Sequence, residues 1–133
     1  MAGFSDFLEL ELLDHVFGNA AYTAPATLYV ALFTATPSDA GGGTECTGGS
    51  YDRADVTNNA TNCPAASGGA KANGTAITFP TATGSWGVVT HFGIFDANTV
   101  GNLLCWGALT ASKTIDTGDT PSFAIGELDI LLD

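Results

Sequence analysis

The sequence has very few positive charges. Its 133 residues include 3 Lys or Arg and 14 Asp or Glu, which gives a net charge of −11 at pH 7. The three basic residues, Arg53, Lys71 and Lys113, are far apart in the chain. Nucleic acids and anionic membrane surfaces are bound by concentrated positive charge. The composition therefore excludes both as partners.

The sequence also lacks long apolar runs. No run approaches the roughly 20 residues that a membrane-spanning helix needs, and no basic segment followed by an apolar one opens the chain. We therefore expect a soluble protein without a membrane anchor or a classical export signal. A length of 133 residues suits a single structural domain, residues 1–133, with a core of its own.

Charge of either sign is scarce, since charged residues make up 13% of the chain, about half the usual share. Soluble monomers usually cover their surface with Lys and Glu, whereas this chain must use Thr, Ala, Ser, Asn and Gly. Such surfaces are common in proteins that bury much of themselves against partners. We expect a homo-oligomer, and a low-charge monomer is the alternative.

Residues that carry chemistry are few and separated. His15 follows Asp14 directly, so the two side chains point in different directions on a helix, and His91 is predicted to lie in a strand and bond to backbone. No Gly-rich stretch carries the Lys of a phosphate-binding loop, and no nucleophile, base and oxyanion hole come together. We predict no catalytic residue, no cofactor site and no metal site. Two acidic pairs are typical of exposed turns: Asp52 with Asp55, and Asp116 with Asp119.

The patterns that are present predict a mainly β protein. Residues 5–17 form a helix in the prediction, with Ser5 or Asp6 as its N-cap and Gly18 as its stop. Apolar alternation then predicts a series of antiparallel strands, and a β-bulge at Gly126–Glu127 accommodates a shift of phase in the last one. The expected fold is an antiparallel β-sandwich or a small open barrel with one N-terminal α-helix. The main predicted strands are residues 26–34, 75–80, 86–96, 101–110, 113–116 ("KTID") and 121–133.

Residues 36–75 differ from the rest of the chain. They hold 8 of the 17 glycines and few large apolar residues, so they are predicted to form long surface loops with at most a short edge strand at residues 50–58. Cys46 and Cys63 both lie in this segment. A disulfide between them is one interpretation, and two free thiols in a reducing cytosol is the other. Cys105 is predicted to be a small core residue.

The predicted helix is apolar on several sides. One small sheet covers one side of a helix, so a neighbouring subunit is a natural second cover. Phe4, Phe7 and Leu8 are the residues that we predict at this interface. The alternative is that the helix lies in a groove of its own domain.

The sequence resembles a family of small bacteriophage and prophage proteins that are often labelled tail-fibre-like. The resemblance covers nearly the whole chain and is most specific in the phrases "LLDHVFG", "TAPATLYVALFT" and "VTHFGIFDA". The chain departs from it in residues 45–73, where two cysteines and "TNNATNCP" look like an insertion. The resemblance implies a virion structural protein without catalytic residues.

Two virion roles are open. Family members of similar size resemble capsid cement (decoration) proteins, which dock as trimers on the outer face of the shell. That resemblance, with the absence of a fibrous repeat, favours a trimer that is made in the host cytoplasm, binds the major capsid protein and bridges capsid subunits at the outer capsid surface. The alternative is a tail or tail-fibre accessory protein that contacts other tail proteins and the host surface.

Overall fold

The computed structural model describes residues 2–132 and contains one α-helix and ten β-strands. Most strands are short, but three longer ones, β2, β7 and β8, form the centre of the molecule. The strands are β1 (Ala2–Phe4), β2 (Thr27–Ala35), β3 (Thr44–Glu45), β4 (Ala54–Thr57), β5 (Ala70–Ala72), β6 (Ile77–Thr78), β7 (Gly87–Phe95), β8 (Leu103–Ile115), β9 (Ser122–Phe123) and β10 (Asp129–Leu131), and the helix is α1 (Asp6–Val16).

The main sheet is antiparallel and open. Its strand order is β1-β8-β7-β2-β3, and β4 pairs with the other half of the same edge of β2. Two further pairs, β5 with β10 and β6 with β9, form two-stranded sheets of their own. The sheets do not close into a barrel. The predicted mainly β fold with an N-terminal helix is therefore confirmed in its open sandwich form.

The core lies between the main sheet and the segments that cross one of its faces. Directly paired residues of neighbouring strands point to the same face, which places Val30, Ile94 and Cys105 together. Segments after β3 supply the second layer. Its buried members are Cys46, Ile77, Phe79, Ala82, Trp86 and Leu128, and Ala54 and Val56 of β4 join the core from the main sheet. Both faces of β2 are covered over Val30–Phe33, as its continuous apolar run predicted.

The Gly-rich segment is more structured than predicted. It contains β3, β4 and β5 and contributes Cys46, Ala54 and Val56 to the core. The short edge strand predicted within residues 50–58 is confirmed as β4, whereas the prediction of surface loops is wrong for β3, β5 and the buried Cys46. Glycine makes this packing possible. Gly49 has φ +55°, and a Cβ there would lie 2.6 Å from the carbonyl oxygen of Gly84, so two chain segments approach more closely than any side chain would allow.

The C-terminal region also differs from the prediction. Residues 121–133 do not form one bulged strand, because β9 pairs with β6 whereas β10 pairs with β5. A turn separates the two strands, in which Glu127 N donates to Ala124 O at 3.1 Å and Gly126 has φ +79°. The phase shift around Gly126 therefore marks a change of partner strand instead of a β-bulge. The last predicted residue, Asp133, lies outside the described residues.

Strand β8 is longer than predicted and contains a wide bulge. Val89 pairs with Lys113 and His91 pairs with Ala108. Four residues of β8, 109–112, therefore lie opposite the single β7 residue Thr90. The segment "KTID", predicted as a separate strand, continues β8 on the far side of this bulge.

Candidate interaction surface

The helix α1 is fixed at its N-terminus by one buried serine. Ser5 is 1% exposed, and its Oγ accepts a hydrogen bond from Leu8 N at 3.2 Å and donates to Leu103 O. Its backbone N–H donates to Leu104 O at 2.9 Å. Ser5 is thus both the N-cap of the helix and a link to β8, and the predicted cap is confirmed.

The side chains predicted as interface residues face the protein itself. Phe4, Phe7 and Leu8 are half-buried and pack against the core cluster. They cover one end of the core because β1 pairs with β8, which brings Phe4 opposite Cys105. Their contact with another subunit remains a prediction, and most of their packing is already provided within the chain.

The exposed apolar residues of the helix region lie on its other side. Leu10 is 65% exposed, Leu13 55%, Val16 61% and Phe17 79%. At about 100° per residue, these four positions fall within roughly one third of the helix circumference. We call them the helix ridge. Monomeric soluble proteins rarely expose contiguous apolar patches of this kind without a use for them.

The helix ridge is interleaved with carboxylates. Asp6, Glu9 and Asp14 are exposed and lie in the same half of the helix circumference. The cationic side chains Lys and Arg are absent from α1, and His15 lies on a different side, where its Nδ1 accepts a hydrogen bond from Tyr22 N at 3.0 Å. The ridge is therefore an apolar surface with only negative charge around it.

A cavity of about 440 Å³ lies beside the helix N-terminus and contains a buried cation. Arg53 donates from Nε and Nη2 to the two carboxylate oxygens of Glu45, both at 2.8 Å, and its Nη1 donates to the carbonyls of Ala97 and Val100 at 2.7 and 2.9 Å. Its Cζ lies 3.7 Å from the ring centroid of Phe95. Four of the five N–H groups are used inside the protein, so this arginine holds the loop between β7 and β8 and is not free for a ligand.

Tyr51 extends this network into the core. Its hydroxyl donates to Glu45 Oε1 at 2.9 Å and accepts from Leu32 N at 3.0 Å, and its ring meets Trp86 edge-on. Burial raises the pKa of Tyr51, the hydrogen bond from Leu32 N opposes that change, and the charge of Glu45 adds to it. The hydroxyl therefore stays protonated as the donor to Glu45.

The sequence patterns did not predict the network of Arg53, Glu45 and Tyr51. Its one visible signal is an arginine beside residues that alternate between buried and exposed in β4. Its partners could not be deduced, because the two carbonyls that Arg53 binds are 44 and 47 positions away.

The three cysteines are free thiols in the structure. Cys46 and Cys105 are each 3% exposed and Cys63 is half-buried. The structure therefore has no Cys46–Cys63 disulfide, and it places Cys46 in the core directly after β3 and not in a mobile loop. The disulfide stays a prediction. Burial raises the pKa of the Cys105 thiol to about 12, as suits the core position that was predicted for it.

The two histidines and the acidic pair Asp116 and Asp119 have local partners, whereas Asp55 of the other predicted pair lies in strand β4 and not in a turn. His91 Nδ1 lies 2.8 Å from Thr90 Oγ1, and its ring centroid lies 6.0 Å from that of Trp106, so its partner is a side chain and not the predicted backbone. Asp119 accepts from Asp116 N at 2.9 Å, as expected for an exposed turn. Within residues 2–132, no group of three or more His, Cys, Asp or Glu is placed to hold a metal ion.

A second groove, about 970 Å³ in volume, runs beside the bulged half of β8. Its floor contains the core residues Leu32, Phe79 and Phe92. In the part of the chain that the structure describes, β1 pairs only with Cys105–Gly107, so residues 109–112 have no register partner in either neighbouring strand. This stretch of β8 is an open and uncharged strand edge.

The helix α1, which is the one helix described in residues 2–132, is not long and apolar enough to cross a membrane.

Comparison with known proteins places the chain in a family. The family model of the podophage GP4 fiber I protein gp80 matches residues 3–131, which includes every helix and almost every strand residue described above. No curated protein matches the chain. The match covers the helix ridge, the network around Arg53 and the open edge of β8 together. The chain therefore belongs to the podophage GP4 fiber I protein gp80 family, and its role is that of a structural protein of the phage virion.

Proposed function

We propose that this protein is a non-catalytic structural component of a virion fibre. The observation that supports it is the family match over residues 3–131, since the matched family is named for a fibre protein. The geometry is compatible with such a role, because in the cavity beside the helix N-terminus the side chains of Glu45, Arg53 and Asn102 all bond to other groups of the protein. A capsid cement protein at the outer shell is the alternative, and the absence of a fibrous repeat in residues 1–133 favours it.

Copy number and position in the virion distinguish the two roles. Purified virions are labelled with a gold-conjugated antibody against the protein and imaged by electron microscopy. Quantitative mass spectrometry measures the number of copies of the protein per particle. A fibre component gives gold at discrete appendages and a few to tens of copies. Gold over the whole shell with hundreds of copies would replace the fibre proposal with the cement role.

Self-association is part of the proposal, with a trimer as the expected stoichiometry. The feature that supports it is the open edge of β8 at residues 109–112, "LTAS", because unpaired strand edges readily pair with another chain. The edge carries no charge of its own, so direct contact at this edge adds no pairing of like charges to the contact between two copies. Sedimentation equilibrium tests the stoichiometry. Replacement of Thr110 and Ser112 by Lys should shift the protein to monomer, whereas a monomeric wild-type protein in solution and in virions would refute self-association.

A further inference from the structure

We propose that the helix ridge of Leu10, Leu13, Val16 and Phe17 binds a different virion protein, one whose contact surface is apolar at its centre and rimmed by Lys or Arg. This inference rests on the proposed structural role in the virion and names the kind of partner that the protein contacts there. It is carried by the combination of exposure and charge on one side of α1.

The exposed side chains have the character of an interface centre. The four ridge residues are between 55% and 79% exposed, although Phe and Leu gain about 1.5–3 kcal/mol each when they are fully buried. The opposite side of the helix, with Phe7 and Leu8, already covers the protein's own core. The ridge is therefore not needed for folding of the described chain.

The charge around the ridge identifies the partner's chemistry. Asp6, Glu9 and Asp14 share the exposed half of the helix with the ridge. Charged groups at the rim of an interface are arranged against opposite charges on the partner, and like charges in contact oppose binding. A surface that covers the ridge must therefore bring Lys or Arg to these three carboxylates.

A second copy of this chain cannot supply those charges. Its own ridge carries the same three acids, so ridge-to-ridge contact between copies places carboxylates against carboxylates. The chain has only three basic residues, and Arg53 among them is buried in its pair with Glu45. Lys71 and Lys113 are single charges on β5 and β8. The ridge is thus better matched to a different protein than to another copy.

The test uses virions that lack the protein as the binding probe. Virions are produced from a phage with the gene deleted, and purified, fluorescently labelled protein is added back to them. Bound copies are counted after sedimentation. We expect Leu13→Ser with Phe17→Ser to reduce binding by at least about tenfold, since apolar residues at the centre carry most interface energy.

Charge variants test the chemistry of the partner. Glu9→Lys with Asp14→Lys should weaken binding about tenfold, and wild-type binding should fall when NaCl is raised from about 50 to about 500 mM, because salt screens attraction at an interface rim. The matched control is Asp55→Lys with Asp116→Lys, which makes the same change in net charge at exposed positions outside the helix. This control should bind like wild type. Circular dichroism and melting temperature establish that each variant is folded.

Three outcomes would overturn the inference. Binding of the Glu9→Lys and Asp14→Lys variant at or above the wild-type level would show that the partner is not basic. If the wild-type protein is an oligomer and the variant with Leu13→Ser and Phe17→Ser is a monomer, a second copy of the chain is the occupant of the ridge. Wild-type binding that neither helix variant alters would place the contact elsewhere. Failure of the fibre role is recognised separately, because gold labelling would then place the wild-type protein on the shell whatever the helix variants do.

Discussion

Arg53 is buried with its charge matched by Glu45, and its Nη1 donates to two carbonyls of the loop between β7 and β8. The pair is not a surface ion pair, since the Arg53 side chain is only 6% exposed and that of Glu45 25%. A buried ion pair adds little compared with an apolar pair of similar size, but removal of one partner leaves the other charge without compensation.

We therefore expect Arg53→Met to lower the free energy of unfolding by about 3 kcal/mol. Urea denaturation followed by tryptophan fluorescence measures the change. The double variant Arg53→Met with Glu45→Met should recover part of the loss, because no charge is then left unpaired. A single variant as stable as wild type would mean that the network does not hold the loop.

The buried thiols make the protein sensitive to alkaline pH. Burial raises the pKa of Cys46 from 9.0 to about 11 and that of Cys105 from 9.0 to about 12. Both folded-state values lie above the unfolded one, so their contribution to stability is fully present below pH 9 and is lost as pH rises towards 12. Burial also raises the pKa of Tyr51, which acts in the same direction.

We expect the midpoint of urea denaturation to fall steadily between about pH 9 and about pH 12. The variant Cys105→Ala should start from a lower stability but lose less of it over this interval. Parallel curves for the variant and wild type would show that the Cys105 thiol does not contribute to the pH dependence.

At the scale of elements, the two sides of α1 have different roles. Phe7, together with Phe4 of the adjoining strand β1, lies against the core cluster, whereas Leu13 and the C-cap residue Phe17 are more than half exposed. The same chemical change on each side therefore separates folding from binding.

We expect Phe4→Ser with Phe7→Ser to lower the free energy of unfolding by about 2–5 kcal/mol, the range for loss of large apolar side chains from a packed site. Leu13→Ser with Phe17→Ser should change it by less than about 0.5 kcal/mol, as is usual for exposed positions. Thermal melting of both variants makes the comparison. Equal destabilisation by the two pairs would contradict the assignment of the two helix sides.

The elements that the sequence predicted are those with a long local pattern. The helix from Asp6 to Val16 and the strands β2 and β7 follow from their periodicity and end signals, because those signals lie within the element itself. The phase shift near Gly126 was detected but misread as a bulge, since a change of partner strand gives the same local pattern.

Short strands depend on partners that are distant in sequence. Strand β1 exists because Gly3 pairs with Trp106, and β5 because Lys71 pairs with Ile130. Three residues carry too little alternation to indicate a strand. The Arg53 network depends in the same way on the loop at Ala97–Val100. The exposure of the helix ridge could not be predicted either, because the sequence does not show that the side with Phe7 is the one that packs on the core.

At the scale of the whole molecule, negative charge is largely unopposed. The net charge is −11, and in the part of the chain that the structure describes one salt bridge is formed, between Arg53 and Glu45. Self-repulsion of like charges destabilises a compact state, and salt screens it.

We therefore expect the melting temperature to rise by a few degrees when NaCl is increased from about 10 to about 300 mM, over which the screening length falls from about 30 Å to below 8 Å. Differential scanning calorimetry at pH 7 measures this. The variant Asp55→Lys with Asp116→Lys, which has a net charge nearer zero, should respond less. A melting temperature that falls with salt would mean that attractive pairs dominate.

The wide bulge of β8 has a consequence for how the chain tolerates changes in its length. Pairing on one side of it is fixed by Val89 with Lys113 and on the other by His91 with Ala108, so each half of the hairpin holds its own alignment. The exposed residues 110–112 connect these halves without a fixed partner. An inserted peptide at this point lengthens the connection and leaves the buried residues of β7 and β8 where they are. Residues 110–112 are therefore expected to accept inserted residues without unfolding of the protein, so an insertion there can block the self-association proposed for this edge while the fold is kept.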